Sequence, residues 1–141
     1  MNTAAAFLLM TTVLVACDDT GANAPVSEAY SYTAYDSSGA ALVEGTLSFS
    51  IKDSSITGSW HLSAIGNAQN IGPQVGFGEM RGGIYTGEIR LNLNPRMVDN
   101  NVFLFGQFEG NGFHGEWMWL TFSGWTNAGT FKAQKGGGVP R

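Results

Sequence analysis

Between Glu28 and Lys135 no stretch of useful length carries a helical period of 3.6; runs of strict apolar–polar alternation stand in its place, least cleanly in the glycine-rich run from Val75 to Gly83. In Gly45-Thr46-Leu47-Ser48-Phe49-Ser50-Ile51, one face holds Leu47, Phe49 and Ile51 and the other holds Thr46, Ser48 and Ser50. The next run sets Ile56, Gly58, Trp60 and Leu62 against Thr57, Ser59, His61 and Ser63. Side chains alternate across a pleated strand, so this pattern predicts half-buried antiparallel sheet. Composition agrees. Twenty glycines in 141 residues, with 13% charged residues, are foreign to a helical bundle. At this length the chain forms one domain with a core of its own.

Turn chemistry predicts the pairing. Asn111-Gly112 is the strongest hairpin signal, because a type I′ turn needs φ > 0 at both central residues. A loop of those two residues pairs Phe108 with Gly115, Gly106 with Trp117 and Leu104 with Trp119. If Asp53-Ser54 closes the preceding hairpin in the same manner, Ile51 pairs with Ile56, Phe49 with Gly58 and Leu47 with Trp60; a four-residue loop gives the same register. Aromatics then stand across from strand glycines, which offsets the glycine penalty. A glycine, any residue, then a bulky apolar one recurs at Gly58-Ser59-Trp60, Gly87-Glu88-Ile89, Gly106-Gln107-Phe108, Gly115-Glu116-Trp117 and Gly129-Thr130-Phe131. Such kinks suit a closing sheet. The expected strands are 29–36, 41–51, 55–63, 74–80, 84–93, 101–109, 113–122 and 128–134. Short connections predict an all-β, single antiparallel up-and-down β-barrel of about eight strands.

The amino-terminal end reads differently. Phe7 to Ala16 is apolar or hydroxylic and too short to span a bilayer, as an export-signal core is. The run Leu14-Val15-Ala16-Cys17 resembles the lipobox of bacterial lipoproteins, although Met1 to Ala6 lacks Lys or Arg. That resemblance implies a lipoprotein signal peptide over 1–16, cleavage before Cys17, and lipid on the Cys17 sulfur and amino group. Acyl chains at Cys17 would hold the protein on a membrane, each buried CH₂ contributing about 0.8 kcal/mol. Asp18 and Asp19 resemble the inner-membrane retention signal of enteric lipoproteins. The expected organisation is therefore the signal over 1–16, a lipidated cysteine and flexible tether over 17–27, the barrel over 28–135 and a disordered tail over 136–141.

Phe105-Gly106-Gln107-Phe108-Glu109-Gly110, Gly115-Glu116-Trp117 and Gly129-Thr130-Phe131-Lys132-Ala133-Gln134-Lys135 resemble the barrel of transferrin-binding-protein-B-like surface lipoproteins. Ile56-Thr57-Gly58-Ser59-Trp60 is similar to the same barrels and to the first strand of avidin-like barrels. Both resemblances imply a barrel, over roughly 45–135, and neither transfers a ligand-contact residue.

Residues that carry chemistry are sparse. A net charge of −4 opposes non-specific nucleic-acid binding, which depends on clustered Lys and Arg. One cysteine excludes an internal disulfide or a cysteine-based zinc cluster. His61 has hydroxyl neighbours alone, and His114 faces Glu109 beside Glu116 as a paired surface imidazole. No inward position is acidic, no G-x-S-x-G or phosphate-cradling loop is present, and no cofactor or metal is expected. The expectation is a non-catalytic binding module, not an enzyme, in the bacterial cell envelope, extracytoplasmic and anchored to the inner or outer membrane.

Two surfaces are candidates for contact. Trp60, Phe108, Trp117, Trp119 and Phe131 point to one predicted interior, where they either pack as core or line a pocket for a small hydrophobic ligand. On the outside, Phe103 opposite Leu120 and Phe105 opposite Met118, with Phe122 nearby, form an apolar patch. A protein partner, a second copy, the N-terminal segment or the loop of Trp125 would cover it. An envelope protein that self-associates through this face is the alternative reading. Met97 and Val98, in the loop from Asn94 to Asn101, offer a further contact at one end.

Overall fold

The structure is a computed structural model that describes residues 26–136. Cys17, the lipobox, the acidic pair Asp18-Asp19 and the tail beyond Gly136 lie outside the described residues. Eight strands follow in order: β1 (Glu28–Tyr35), β2 (Ala41–Lys52), β3 (Ser55–Ala64), β4 (Gly76–Tyr85), β5 (Glu88–Asn92), β6 (Asn100–Glu109), β7 (Gly112–Thr121) and β8 (Gly124–Lys135). Each pairs antiparallel with its neighbours, and β8 returns to β1 to close the barrel. The predicted up-and-down barrel of eight strands is the observed fold.

An even number of strands divides the loops between two rims. One rim carries the hairpins Asp53-Ser54, Thr86-Gly87 and Gly110-Asn111, together with the start of β1 and the end of β8. The opposite rim carries the loops 36–40, 65–75 and 93–99 and the turn 122–123. They are called here the hairpin rim and the loop rim.

The β2–β3 hairpin has the expected register, with Ile51 opposite Ile56, Phe49 opposite Gly58 and Leu47 opposite Trp60. Asp53 and Ser54 both adopt positive φ, 49° and 67°, as a two-residue I′ turn requires. The β6–β7 hairpin differs from expectation. Its loop is Gly110-Asn111, so Glu109 pairs with Gly112, Phe108 with Phe113, Gly106 with Gly115 and Leu104 with Trp117. Gly110 supplies the positive φ of 58° at the first central position, which is the place for glycine in a II′ turn. The whole pairing is displaced by two positions, which preserves the inward and outward faces. Trp117 and Phe131 nonetheless lie across from Gly129 and Gly115, on the β7–β8 side.

A second difference lies in β4 and β5. The sequence places strands at 74–80 and 84–93, whereas β4 runs on through Gly82-Gly83 and turns at Thr86-Gly87. Glycines have no side chain to declare a face, so the alternation that marks other strands is silent there. The last strand also begins four residues earlier than expected, through a bulge at Trp119/Leu120.

The lumen is filled. Towards the hairpin rim Tyr30 stacks on Phe49 with centroids 4.8 Å apart, and Phe113 meets both edge-on. Phe131 joins Phe113 at 5.6 Å and Tyr32 at 5.7 Å. Each such pair adds about 0.5–1.5 kcal/mol beyond area burial. Towards the loop rim Trp117, Trp60, Leu62, Leu104 and Val102 continue the core. The 65–75 loop then folds inward as a plug. Ile71 and Gln74 are buried, the Tyr32 hydroxyl donates to Gln74 Oε1 (3.2 Å), and Gln74 Nε2 donates to the Ile71 carbonyl (2.7 Å). Side chains hold the plug from outside as well: Asn94 Nδ2 donates to the Pro73 carbonyl and Asn127 Nδ2 to that of Asn70.

Candidate binding groove at the loop rim

The site begins where β5 stops. In Asn92-Leu93-Asn94-Pro95, the Asn92 side chain accepts the Asn94 N–H (2.8 Å), and Met97 N–H closes a turn on the Asn94 carbonyl (3.0 Å). Asn caps its own backbone and proline has no N–H to continue a ladder, so this sequence ends the strand. Leu93 instead donates to the Val102 carbonyl of β6 (2.9 Å), and Asn94 Oδ1 accepts the Val102 N–H. The last β4–β5 pair is Arg81 with Asn92. From Gly76 to Met80, β4 is paired with β3 alone.

Trp60 closes the wall at this gap. Its indole packs across Gly78, where a Cβ would lie 2.7 Å from Trp60 Cζ2, and Nε1 donates to the Leu93 carbonyl at 2.6 Å. Outside this seal lies an open groove of about 900 Å³. Its floor is the outer face of β2 and β3, with Thr46, Ser48, Ser59 and His61. Val75 and Phe77 line one side, and Pro95 and Met97 the other. Phe77 is 86% exposed and Met97 47%. Arg96 grips Glu79 through two nitrogens, at 2.8 Å and 3.1 Å, across the groove. Both partners are solvent-exposed, so the pair is an adjustable strap worth about 0–1 kcal/mol.

The residues singled out in the sequence separate into three places. Trp60, Trp117 and Phe131 are buried core, with Trp117 Nε1 donating to the Tyr35 carbonyl (2.9 Å). Trp119 is half-buried under the plug and donates to Asn100 Oδ1 (2.7 Å). Phe108 departs from expectation: it shares the inward face but sits at the hairpin rim, 41% exposed, leaning on Phe113. These five rings do not converge on one space, and Trp60 alone among them reaches the groove.

The outer patch is present in a shifted pairing. Phe103 lies opposite Met118, Phe105 opposite Glu116, and Leu120 opposite Asn101. Phe103 stacks on Phe105 at 6.2 Å, and Phe103, Phe105, Met118 and Leu120 are all half-buried. Phe122 and Trp125 stand exposed at the loop rim beside them. Asn101 on this face is buried. Its Nδ2 donates to the Met97 carbonyl, and its Oδ1 has no partner among the described residues.

His61 lies on the groove floor, and His114 Nδ1 reaches Glu109 Oε2 at 3.2 Å although its strand partner is Gln107. Among the described residues no three His, Cys, Asp or Glu side chains converge. The shifted ionisations lie elsewhere. Burial, then the Glu28 hydrogen bond, pushes the Tyr30 phenol up to about 12, and burial raises Tyr32 further. Hydrogen bonds from Lys135 and Tyr30 hold Glu28 low, and the Ser38 hydroxyl and the Ala40 amide do the same for Asp36.

The groove leaves no periodic trace in the sequence. Asn94-Pro95 after a short apolar strand was the signal that β5 would stop early, and Gly76-Phe77-Gly78 marks a strand with nothing to place inside. No protein-family model, curated protein or solved structure matches the chain, so the likenesses to lipoprotein and avidin-like barrels stand on their motifs alone.

Proposed function

We propose that this chain is an extracytoplasmic lipoprotein of the bacterial envelope, a non-catalytic binding module held to a membrane by lipid on Cys17, with the groove as its contact surface. The observation that supports it most is the opposition of the two rims. The chain enters β1 at the hairpin rim, while the groove and all the longer loops lie at the other end. A tether running back from Val26 therefore fixes the foot of the barrel and presents the groove to its surroundings. Groove volume, apolar walls and a hydroxyl-lined floor are those of a recognition surface.

The test is affinity capture from envelope extracts with the full chain, alongside a Phe77→Ser/Met97→Ser double variant. A specific companion lost with the double variant is expected. Equal capture by both proteins would remove the groove from the reading. Membrane fractionation of Cys17→Ser tests the anchor, with release into the soluble fraction as the expected result.

The half-buried run of Phe103, Phe105, Met118 and Leu120, with Phe122 and Trp125 exposed beside it, favours a second reading, self-association through β6–β8. Sedimentation would then show a dimer that Phe105→Lys dissociates without loss of fold.

A further inference from the structure

We propose that the free edge of β4 takes up an extended peptide as an additional strand, seated in the groove between β4 and the Asn94–Met97 turn. This rests on the binding-module reading above and names what the module binds.

Backbone hydrogen bonds in an antiparallel ladder alternate in direction along a strand. Tyr85 and Glu88 flank the two-residue turn and bond to each other, so Tyr85, Gly83 and Arg81 direct N–H and C=O towards β5. Ile84 on the alternate set donates to Ser54, on the β3 side. Continued upward, the alternation aims the N–H and C=O of Glu79 and Phe77 into the gap that β5 vacates. Among the described residues, neither backbone N–H nor C=O of the two bonds to the 93–97 segment or to a side chain; the Glu79 carboxylate alone is held by Arg96. Two donors and two acceptors, at the spacing of one strand, therefore face the gap between β4 and the 93–97 segment, which lines the groove.

Edges of this kind are ordinarily blunted by lysine, proline, a bulge or a covering loop. Here the turn that begins at Asn94 makes no backbone hydrogen bond to the edge among the described residues, and the outward side chains are Phe77 and a Glu79 already neutralised by Arg96. With that charge cancelled, the edge suits an uncharged backbone. The inner side of any added strand would meet the Trp60 indole across Gly78, which admits small side chains alone. Its outer side would meet Phe77 and Met97. The complementary occupant alternates small residues with apolar ones.

The geometry favours a free segment over a second barrel. A second barrel cannot bring its own edge in, because the Pro95–Met97 wall stands beyond the groove and its strap crosses it. A free segment can enter where a sheet cannot.

The experiment uses the full chain, labelled for amide NMR, and a capped octapeptide alternating valine with glycine. Two analogues carry N-methyl groups on the valines or on the glycines. In the free protein the Phe77 and Glu79 amides should exchange at least about tenfold faster than those of Gly78 and Met80. The parent peptide should shift the Phe77, Glu79 and Trp60 indole resonances saturably and slow exchange at Phe77 and Glu79. N-methyl valine, which removes the donors facing β4, should abolish this, while N-methyl glycine is tolerated. Phe77→Pro, which deletes a donor aimed at the gap and spares the bonds to β3, should abolish binding; Phe77→Ala should weaken it.

Slow exchange of both edge amides in the free protein would overturn the proposal, as would absence of any shift with the parent peptide. Equal binding of the N-methyl-valine peptide overturns strand addition but leaves a groove that binds through side chains. A companion captured from extracts and still held by Phe77→Pro would do the same, so the two readings fail separately.

Discussion

Gly78 and Trp60 act as one unit. The indole occupies the volume that a β4 side chain would need, and its N–H satisfies the Leu93 carbonyl at the point where the sheet opens. Gly78→Ala should cost about 1–3 kcal/mol, the usual effect of overpacking, read as a lower urea midpoint with a red-shifted tryptophan emission. Ionisation works at the same scale. Tyr30 has its phenol raised from 10.0 to about 12, so the fold favours the protonated form. The stability it contributes is complete below pH 10 and is lost as the pH climbs through about 12; Tyr32 acts in the same sense. Alkaline unfolding should follow tyrosinate absorbance, and Tyr30→Phe should flatten the dependence. Asp36 acts oppositely: its lowered carboxyl supports the 36–40 turn above the ordinary value of 3.8, and that support is lost as the pH falls through its value in the fold. Residue identity was a good guide to facing. Trp60, Trp117 and Phe131 are inward as the alternation implied, but alternation says nothing of height along the barrel, and Phe108 emerges at the rim.

Hairpins show where element-level reading succeeds. Asp53-Ser54 and Asn111-Gly112 both have the chemistry of two-residue turns, yet the weaker signal marks the observed register and the stronger does not. The reason is local. Gly110, Asn111 and Gly112 offer two adjacent turn pairs, and Gly110-Asn111 prevails with Gly112 buried in the ladder against Ala133 and Gln134. Because Asp53 and Ser54 hold positive φ without being glycine, their turn carries strain. Replacing the pair with Asn-Gly should stabilise the protein by about 0.5–1 kcal/mol, measured by urea denaturation, with the β2–β3 register unchanged in NOE contacts. The candidate site was the least legible element. Its makers are a strand that stops early and a strand of glycines, and neither leaves a periodic trace.

Closure governs the whole molecule. Free strand edges are confined to short stretches where one strand outruns its neighbour, as β4 outruns β5 and β8 outruns β1 before Thr130. The covering of the core depends on β1 meeting β8, residues about a hundred positions apart. Such distant pairing predicts slow, cooperative folding, on the order of milliseconds to seconds. Far-UV dichroism and tryptophan emission should report one coincident urea transition; separate midpoints would mean that the plug or the β4–β5 region opens on its own. Closure also makes the order of the strands partly arbitrary. Lys135 reaches across to Glu28, so the first and last strands leave the same rim as neighbours. A linker of a few residues could join them, and the backbone could be opened at Thr86-Gly87 with every ladder kept. In such a rearranged chain the new ends would fall directly beneath the groove, beside the very strand whose upper edge is unpaired. A peptide fused there would become a tethered occupant at high local concentration.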